Sequence, residues 1–152
     1  RLIAVDVSDF ALETAKKLGA THTVNPNHVD AKEAIYSILP EGPDLVVEAA
    51  GPIEAVNLMV SLLRRGTRWN VFGITTHETF ALDGGLMHFL EARMDSSFGT
   101  NSLAMEKSIR LMERGLVRPD LAISHRFPLT EIHKAVEVMG SPERNKVIIQ
   151  PN

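Results

Sequence analysis

The feature that most constrains this chain is the alternation of short apolar runs with helical patterns, which continues from residue 2 to about residue 111. Such alternation is the signature of βαβ units, and so of a doubly wound α/β fold with a parallel sheet. Residues 2–6 read as a strand and 9–18 as a helix, with Ser8 or Asp9 placed to cap it and Gly19 to stop it. Residues 21–24 make a short polar strand suited to a sheet edge, followed by a helix over 30–39. The run Asp44-Leu45-Val46-Val47-Glu48 is almost continuously apolar, which predicts a strand buried on both faces. A helix over 53–64, the turn Arg65-Gly66 and a strand over 67–72 ending at Gly73 follow. Further on, the pattern predicts a short strand at 80–82, helical turns at 85–91, a strand at 94–98 and a helix over 102–114 closed by Gly115. The remainder changes character and reads as strand, helix, strand over 121–129, 130–139 and 146–150.

A chain of 152 residues with 44% hydrophobic and 23% charged residues can build one domain with a substantial core. Its net charge is -3 and its 16 Lys and Arg residues are scattered, so electrostatics gives no reason to expect nucleic acid or an anionic membrane as partner. The apolar runs are far too short to span a bilayer. With no cysteine, the chain can hold neither a disulfide nor a thiolate metal site, and the expectation is a cytoplasmic protein.

Asp6 closes the first strand. In a dinucleotide-binding fold, a carboxylate at the end of the second strand accepts hydrogen bonds from the adenosine ribose hydroxyls, and its charge disfavours the extra phosphate of NADP. Helix capping is the plain alternative for the same residue. The first strand and the turn G-x-G-x-x-G that should precede such a carboxylate by about twenty residues do not stand before Asp6. That first strand is central in the order 3-2-1-4-5-6. The expectation is therefore the later part of a longer polypeptide, with one open apolar edge beside residues 2–6 and another beside 44–48.

The runs DVSDFALETAKKLGATHTVNP, DLVVEAAGPIEAV, LLRRGTRWNVFGI, SSFGTN and HRFPLTEIHKAVEVMGSPERNKVIIQP occur in an order and spacing that covers essentially the whole chain. Together they resemble the zinc-type medium-chain alcohol and polyol dehydrogenases, most closely the branch with sorbitol, threonine and glucose dehydrogenases. The resemblance implies a Rossmann-like nucleotide-binding part at 1–115 and a segment at 116–152 that returns to a catalytic domain. It implies NAD as cofactor, with zinc bound outside this chain, and hydride removal from a secondary alcohol, polyol or sugar. It assigns no catalytic residue or metal ligand here, and implies that the chain alone is inactive.

Position by position, the resemblance places Asp6 on the ribose and Val7 near adenine. Ala49, Ala50 and Gly51 line the adenine and ribose side of the cleft, while Phe72, Gly73 and Ile74 approach the nicotinamide end. Ser96, Ser97 and Phe98 offer main-chain groups to the nicotinamide carboxamide, and Lys146 reaches toward the phosphates. Ala11 departs from the family pattern, since several relatives carry a basic residue there. The resemblance also implies a homo-oligomer, dimer or tetramer, built through about 69–82. Two rivals share the sheet: a zinc-free quinone reductase and a non-catalytic nucleotide-sensing module.

Plainer roles compete with several of these assignments. Gly51 and Gly73 suit any strand-to-helix turn, Phe98 suits a core, and Lys146 suits a solvated strand end. Trp69, the single tryptophan, reads as packing. The six histidines, 22, 28, 77, 88, 125 and 133, show no i, i+4 pair and no H-E-x-x-H, and read as surface or loop residues.

Overall fold

The computed structural model describes residues 1–73 and 79–151. Its elements run β1 (Ile3–Val5), α1 (Asp9–Lys17), β2 (His22–Val24), α2 (Ala31–Ile38), β3 (Leu45–Glu48), α3 (Ile53–Ser61), β4 (Arg68–Val71), α4 (Gly84–Phe89), β5 (Arg93–Ser96), α5 (Ser102–Glu113), α6 (Pro119–Ala122), β6 (Ile123–Pro128), α7 (Ile132–Val138) and β7 (Lys146–Gln150). All strand pairs are parallel. The chain divides into two compact units, Arg1–Val29 with Thr100–Asn152, and Asp30–Gly99.

In the first unit, β1 pairs with β2, Val5 opposite Val24. Helix α1 starts where Ser8 Oγ accepts the Ala11 N–H at 3.3 Å. Lys16 and Lys17 in its last turn face the negative end of the helix dipole. Gly19 leaves the helix at φ +106°, a conformation that side chains oppose. Leu12 turns inward and is buried. Strands β6 and β7 form a second parallel pair, with an irregularity between Ile123 and His125, and α7 contributes the buried Ala135. The loop before β7 is fastened to α1. Ser8 Oγ donates to the Pro142 carbonyl at 3.2 Å, and Asn145 Nδ2 donates to Thr14 Oγ1 at 2.7 Å.

In the second unit, β3, β4 and β5 lie in that order. Val56 and Met59 of α3 pack on Trp69 of β4, and Val46, Val71 and Met94 extend this core across the three strands. Helix α2 is capped by Asp30, whose Oδ1 accepts the Glu33 N–H at 2.8 Å.

Several expectations change. Strand β3 is not buried on both faces: Val46 packs on the core, whereas Leu45 and Val47 are 58% and 56% exposed. The apolar run reports what each residue prefers, but only the face with α3 against it is covered. No strand forms at 80–82, because a strand needs a ladder partner and none is present for it among the described residues. Phe80 packs instead on the core of its unit. The strand expected over 121–129 begins as the short helix α6, with Pro119 in its first turn, a position that needs no N–H donor. The helix expected over 130–139 opens as a 3-10 turn at Leu129–Glu131. As expected, β1 and β3 each have a single hydrogen-bonded neighbour among the described residues. No helix among the described residues is long and apolar enough to cross a membrane.

Candidate functional site

In parallel sheets the loops after the carboxyl ends of the strands carry ligands, because helix N-termini and free backbone groups gather there. The second unit has three such ends side by side. Glu48 stands opposite Val71, and Val71 opposite Ser96. This register brings Ala49, Ala50 and Gly51, then Phe72 and Gly73, then Ser96, Ser97 and Phe98, to one end of one sheet. Ile74 lies outside the described residues.

The backbone ties these three turns together. The Phe72 and Gly73 N–H groups both donate to the Glu48 carbonyl, at 2.8 and 3.0 Å, and the Ser97 N–H donates to the Val71 carbonyl at 3.2 Å. Asn70 Nδ2 adds a bond to Ser97 Oγ at 3.2 Å. Phe98 is 95% exposed, so the plain reading of this residue as core is overturned. Trp69, by contrast, is 1% exposed and belongs to the core.

Sequence reasoning missed the group that organises these turns. Glu48 is only 4% exposed, and its Oε1 accepts the Ala50 and Gly51 N–H groups, each at 2.7 Å. Its Oε2 is buried with no hydrogen-bond partner among the described residues. Gly73 adjoins this oxygen: a Cβ built on Gly73 would lie 2.4 Å from Glu48 Oε2 and 2.6 Å from the Gly51 nitrogen. Gly73 is therefore required for space. Gly51 answers a different demand, with φ +100°. The available signal was a carboxylate closing an otherwise apolar strand, which a buried strand end tolerates only where donors await it.

In the first unit, Asp6 follows β1 and is exposed. Its Oδ1 accepts the Ser8 N–H at 2.8 Å, which orients the carboxylate. The helix cap is Ser8, so the capping alternative for Asp6 is overturned. Val7 is 63% exposed beside it, and its carbonyl accepts a bond from Asn25 Nδ2 at 3.1 Å. Asn25 is a second residue that the sequence did not single out. Only 7% exposed, it also donates to Asp9 Oδ1 at 2.7 Å and accepts the Asn27 N–H on its Oδ1 at 2.9 Å. Lys146 is exposed at the start of β7, directly after Asn145, which is bonded to α1.

Asp6 offers an exposed carboxylate with one oxygen oriented by the Ser8 N–H, a group able to accept hydrogen bonds from hydroxyls. No group of three His, Asp or Glu residues that could hold a metal occurs among the described residues.

The family model for zinc-binding dehydrogenases matches residues 1–114. This chain belongs to the zinc-binding dehydrogenase family. It is 30% identical to the L-threonine 3-dehydrogenase of Marinomonas sp. (strain MWYL1), over 99% of this chain and 44% of that protein. Among solved structures, it is similar to an alcohol dehydrogenase from Thermotoga maritima, with 28% identity, a TM-score of 0.83, and coverage of 99% of this chain and 43% of the other. It is also similar to a Sinorhizobium meliloti 1021 protein solved bound to NADP, with 28% identity and a TM-score of 0.84 over 97% of this chain and 44% of that one. The chain thus spans less than half the length of these relatives. The expectation of a member of the zinc-type medium-chain dehydrogenase family, with a Rossmann-like α/β fold, holds.

Proposed function

We propose that this chain is the cofactor-holding part of an NAD-dependent dehydrogenase that oxidises a secondary alcohol, polyol or sugar. The observation that carries this reading is Asp6, an exposed carboxylate at a strand end with one oxygen held by the Ser8 N–H. Such a group accepts hydrogen bonds from the two ribose hydroxyls and repels a phosphate on either of them. The family supports a nicotinamide cofactor, and the NADP carried by the Sinorhizobium relative makes the choice between the two forms a matter for experiment.

In this reading residues 1–115 form the nucleotide-binding part and 116–152 return to a catalytic domain. Asp6 and Val7 hold the adenosine end, Lys146 approaches the phosphates, and Ala49, Ala50 and Gly51 line the adenine and ribose side. Phe72, Gly73 and Ile74, with Ser96, Ser97 and Phe98, orient the nicotinamide ring through main-chain groups. The cofactor, when bound, accepts the hydride from the carbinol carbon. The chain's own task is orientation, holding the ring face toward the substrate and excluding rotated poses. Zinc belongs, in this reading, to residues outside the chain, where an ion would polarise the alcohol oxygen. By itself the chain gives no turnover.

The test is cofactor titration of the full-length protein and its Asp6→Asn and Asp6→Ala variants. Wild type should bind NADH at least tenfold more tightly than NADPH, and both variants should narrow that ratio by weakening NADH. Equal affinity for the two nucleotides, unchanged in the variants, would remove Asp6 from the ribose. Small-angle scattering should give a dimer or tetramer mass, and a monomer mass would contradict assembly.

A further inference from the structure

The least explained group in the second unit is the Glu48 carboxylate. A carboxylate 4% exposed must be compensated, and among the described residues only one of its two oxygens has a partner. Oε1 takes both N–H groups of the turn after β3, at 2.7 Å from Ala50 and from Gly51. Oε2 fills the space where a side chain at position 73 would begin, 2.4 Å from an ideal Cβ. The Glu48 main chain also receives the Phe72 and Gly73 N–H groups at 2.8 and 3.0 Å. One residue thus reaches two turns: the first through its carboxylate, the second through its carbonyl and by shape.

We propose that Glu48 is a positioning residue for the cofactor, a latch that sets the turn at 49–51 against the turn at 72–73 so that the nicotinamide half is held in one pose. This rests on the cofactor reading above and adds a residue that the reading did not use. The latch touches no reacting atom. Its effect reaches the nicotinamide through the Gly73 turn; the 49–51 turn lies on the adenine and ribose side, but Asp6, the carboxylate that holds the ribose in this reading, belongs to another turn and is left intact. Charge-assisted bonds to backbone N–H groups are short and strong, and losing them leaves two donors without their acceptor.

The experiment uses the full-length protein, wild type, Glu48→Ala and Glu48→Gln. Amide exchange reads the latch, NADH titration reads the whole cofactor, and AMP titration reads the adenosine end. In E48A the Ala50 and Gly51 amides should exchange at least tenfold faster, with β4–β5 ladder amides unchanged. NADH affinity should fall at least tenfold and AMP affinity less than threefold. E48Q keeps an acceptor oxygen and should recover NADH affinity to within about threefold of wild type. Unchanged exchange at Ala50 and Gly51 in E48A would overturn the latch. Faster exchange with NADH affinity unchanged, or with NADH and AMP weakened equally, would overturn the positioning role. Wild-type protein that binds neither NADH nor AMP would overturn the cofactor reading and the positioning role together, and the exchange result would still decide whether the latch exists.

Discussion

The two units solve the same problem with opposite chemistry. Each must hold a strand-to-helix turn at the end of a parallel strand. The first unit uses a neutral amide, Asn25, whose Nδ2 and Oδ1 bond Val7, Asp9 and Asn27. The second uses a carboxylate, Glu48, which bonds two N–H groups through one oxygen and leaves the other buried without a partner among the described residues. An amide can both donate and accept, so it suits a turn that presents a carbonyl, a carboxylate and an N–H. A carboxylate only accepts, so it suits a turn that presents N–H groups alone. The turn's free backbone groups thus select the side chain, and the glycine beside it follows from the side chain's bulk.

The contrast is most sharply tested at glycine. Gly73→Ala should be the most damaging change, because the new Cβ would meet Glu48 Oε2 and the Gly51 backbone nitrogen, and a backbone atom cannot swing aside. Overpacking of this kind costs roughly 1–3 kcal/mol, and the upper end is expected in denaturant unfolding. Gly19→Ala provides the control, since nothing lies within 4 Å of its added Cβ and only φ +106° opposes it. A loss nearer 1 kcal/mol is expected there. If the two variants unfold at the same denaturant concentration, space is not what selects Gly73.

Asn25→Ala comes next. It removes the bonds to Val7, Asp9 and Asn27 from a site that is 7% exposed, and roughly 1–2 kcal/mol should be lost in the same measurement. Asn25→Asp turns the comparison around by placing a carboxylate where Asp9 Oδ1 and a carbonyl require a donor. It should be at least as damaging as alanine, and a stable N25D protein would show that the two turns accept either chemistry.

The smallest effect belongs to the surface pair Arg118 and Asp120 beside α6. The side-chain hydrogen bond from Arg118 is the main cause that holds the Asp120 carboxyl below its ordinary value, and the same bond raises Arg118. A lowered carboxyl contributes stability above its unfolded value and loses it as pH falls through the folded value. Because the pair is exposed, the contribution is slight and salt-sensitive. Thermal melts of Asp120→Asn should sit just below wild type at neutral pH and converge with it in acid. A gap that widened in acid would reverse the sign.

Much of the fold was legible because each element carries its own local signal. Ser8, Asp30 and Asn101 cap their helices as side chains that accept from the first turn, and Gly19 and Gly115 end helices at positive φ. Among the described residues the polar β2 does have only one strand neighbour. The legible part of the proposed site was equally local: Asp6 follows a strand, and glycines follow β3 and β4. Glu48 and Asn25 escaped notice because, Asp9 Oδ1 apart, their partners are backbone groups of turns, and backbone groups leave no mark in the residue order. The exposure of Leu45 and Val47 escaped for a related reason, since an apolar run says nothing about which face receives a cover.

Most of the order of strands and helices, several helix ends and the carboxylate after β1 were therefore determined by the sequence alone, through propensity, periodicity and capping; the strand expected at 80–82 and the start of the segment over 121–129 were not. Tertiary structure decided the rest. It chose which strand ends lie side by side, which face of β3 is covered, and why residue 73 must lack a side chain, because these depend on distances between segments that the chain order does not encode.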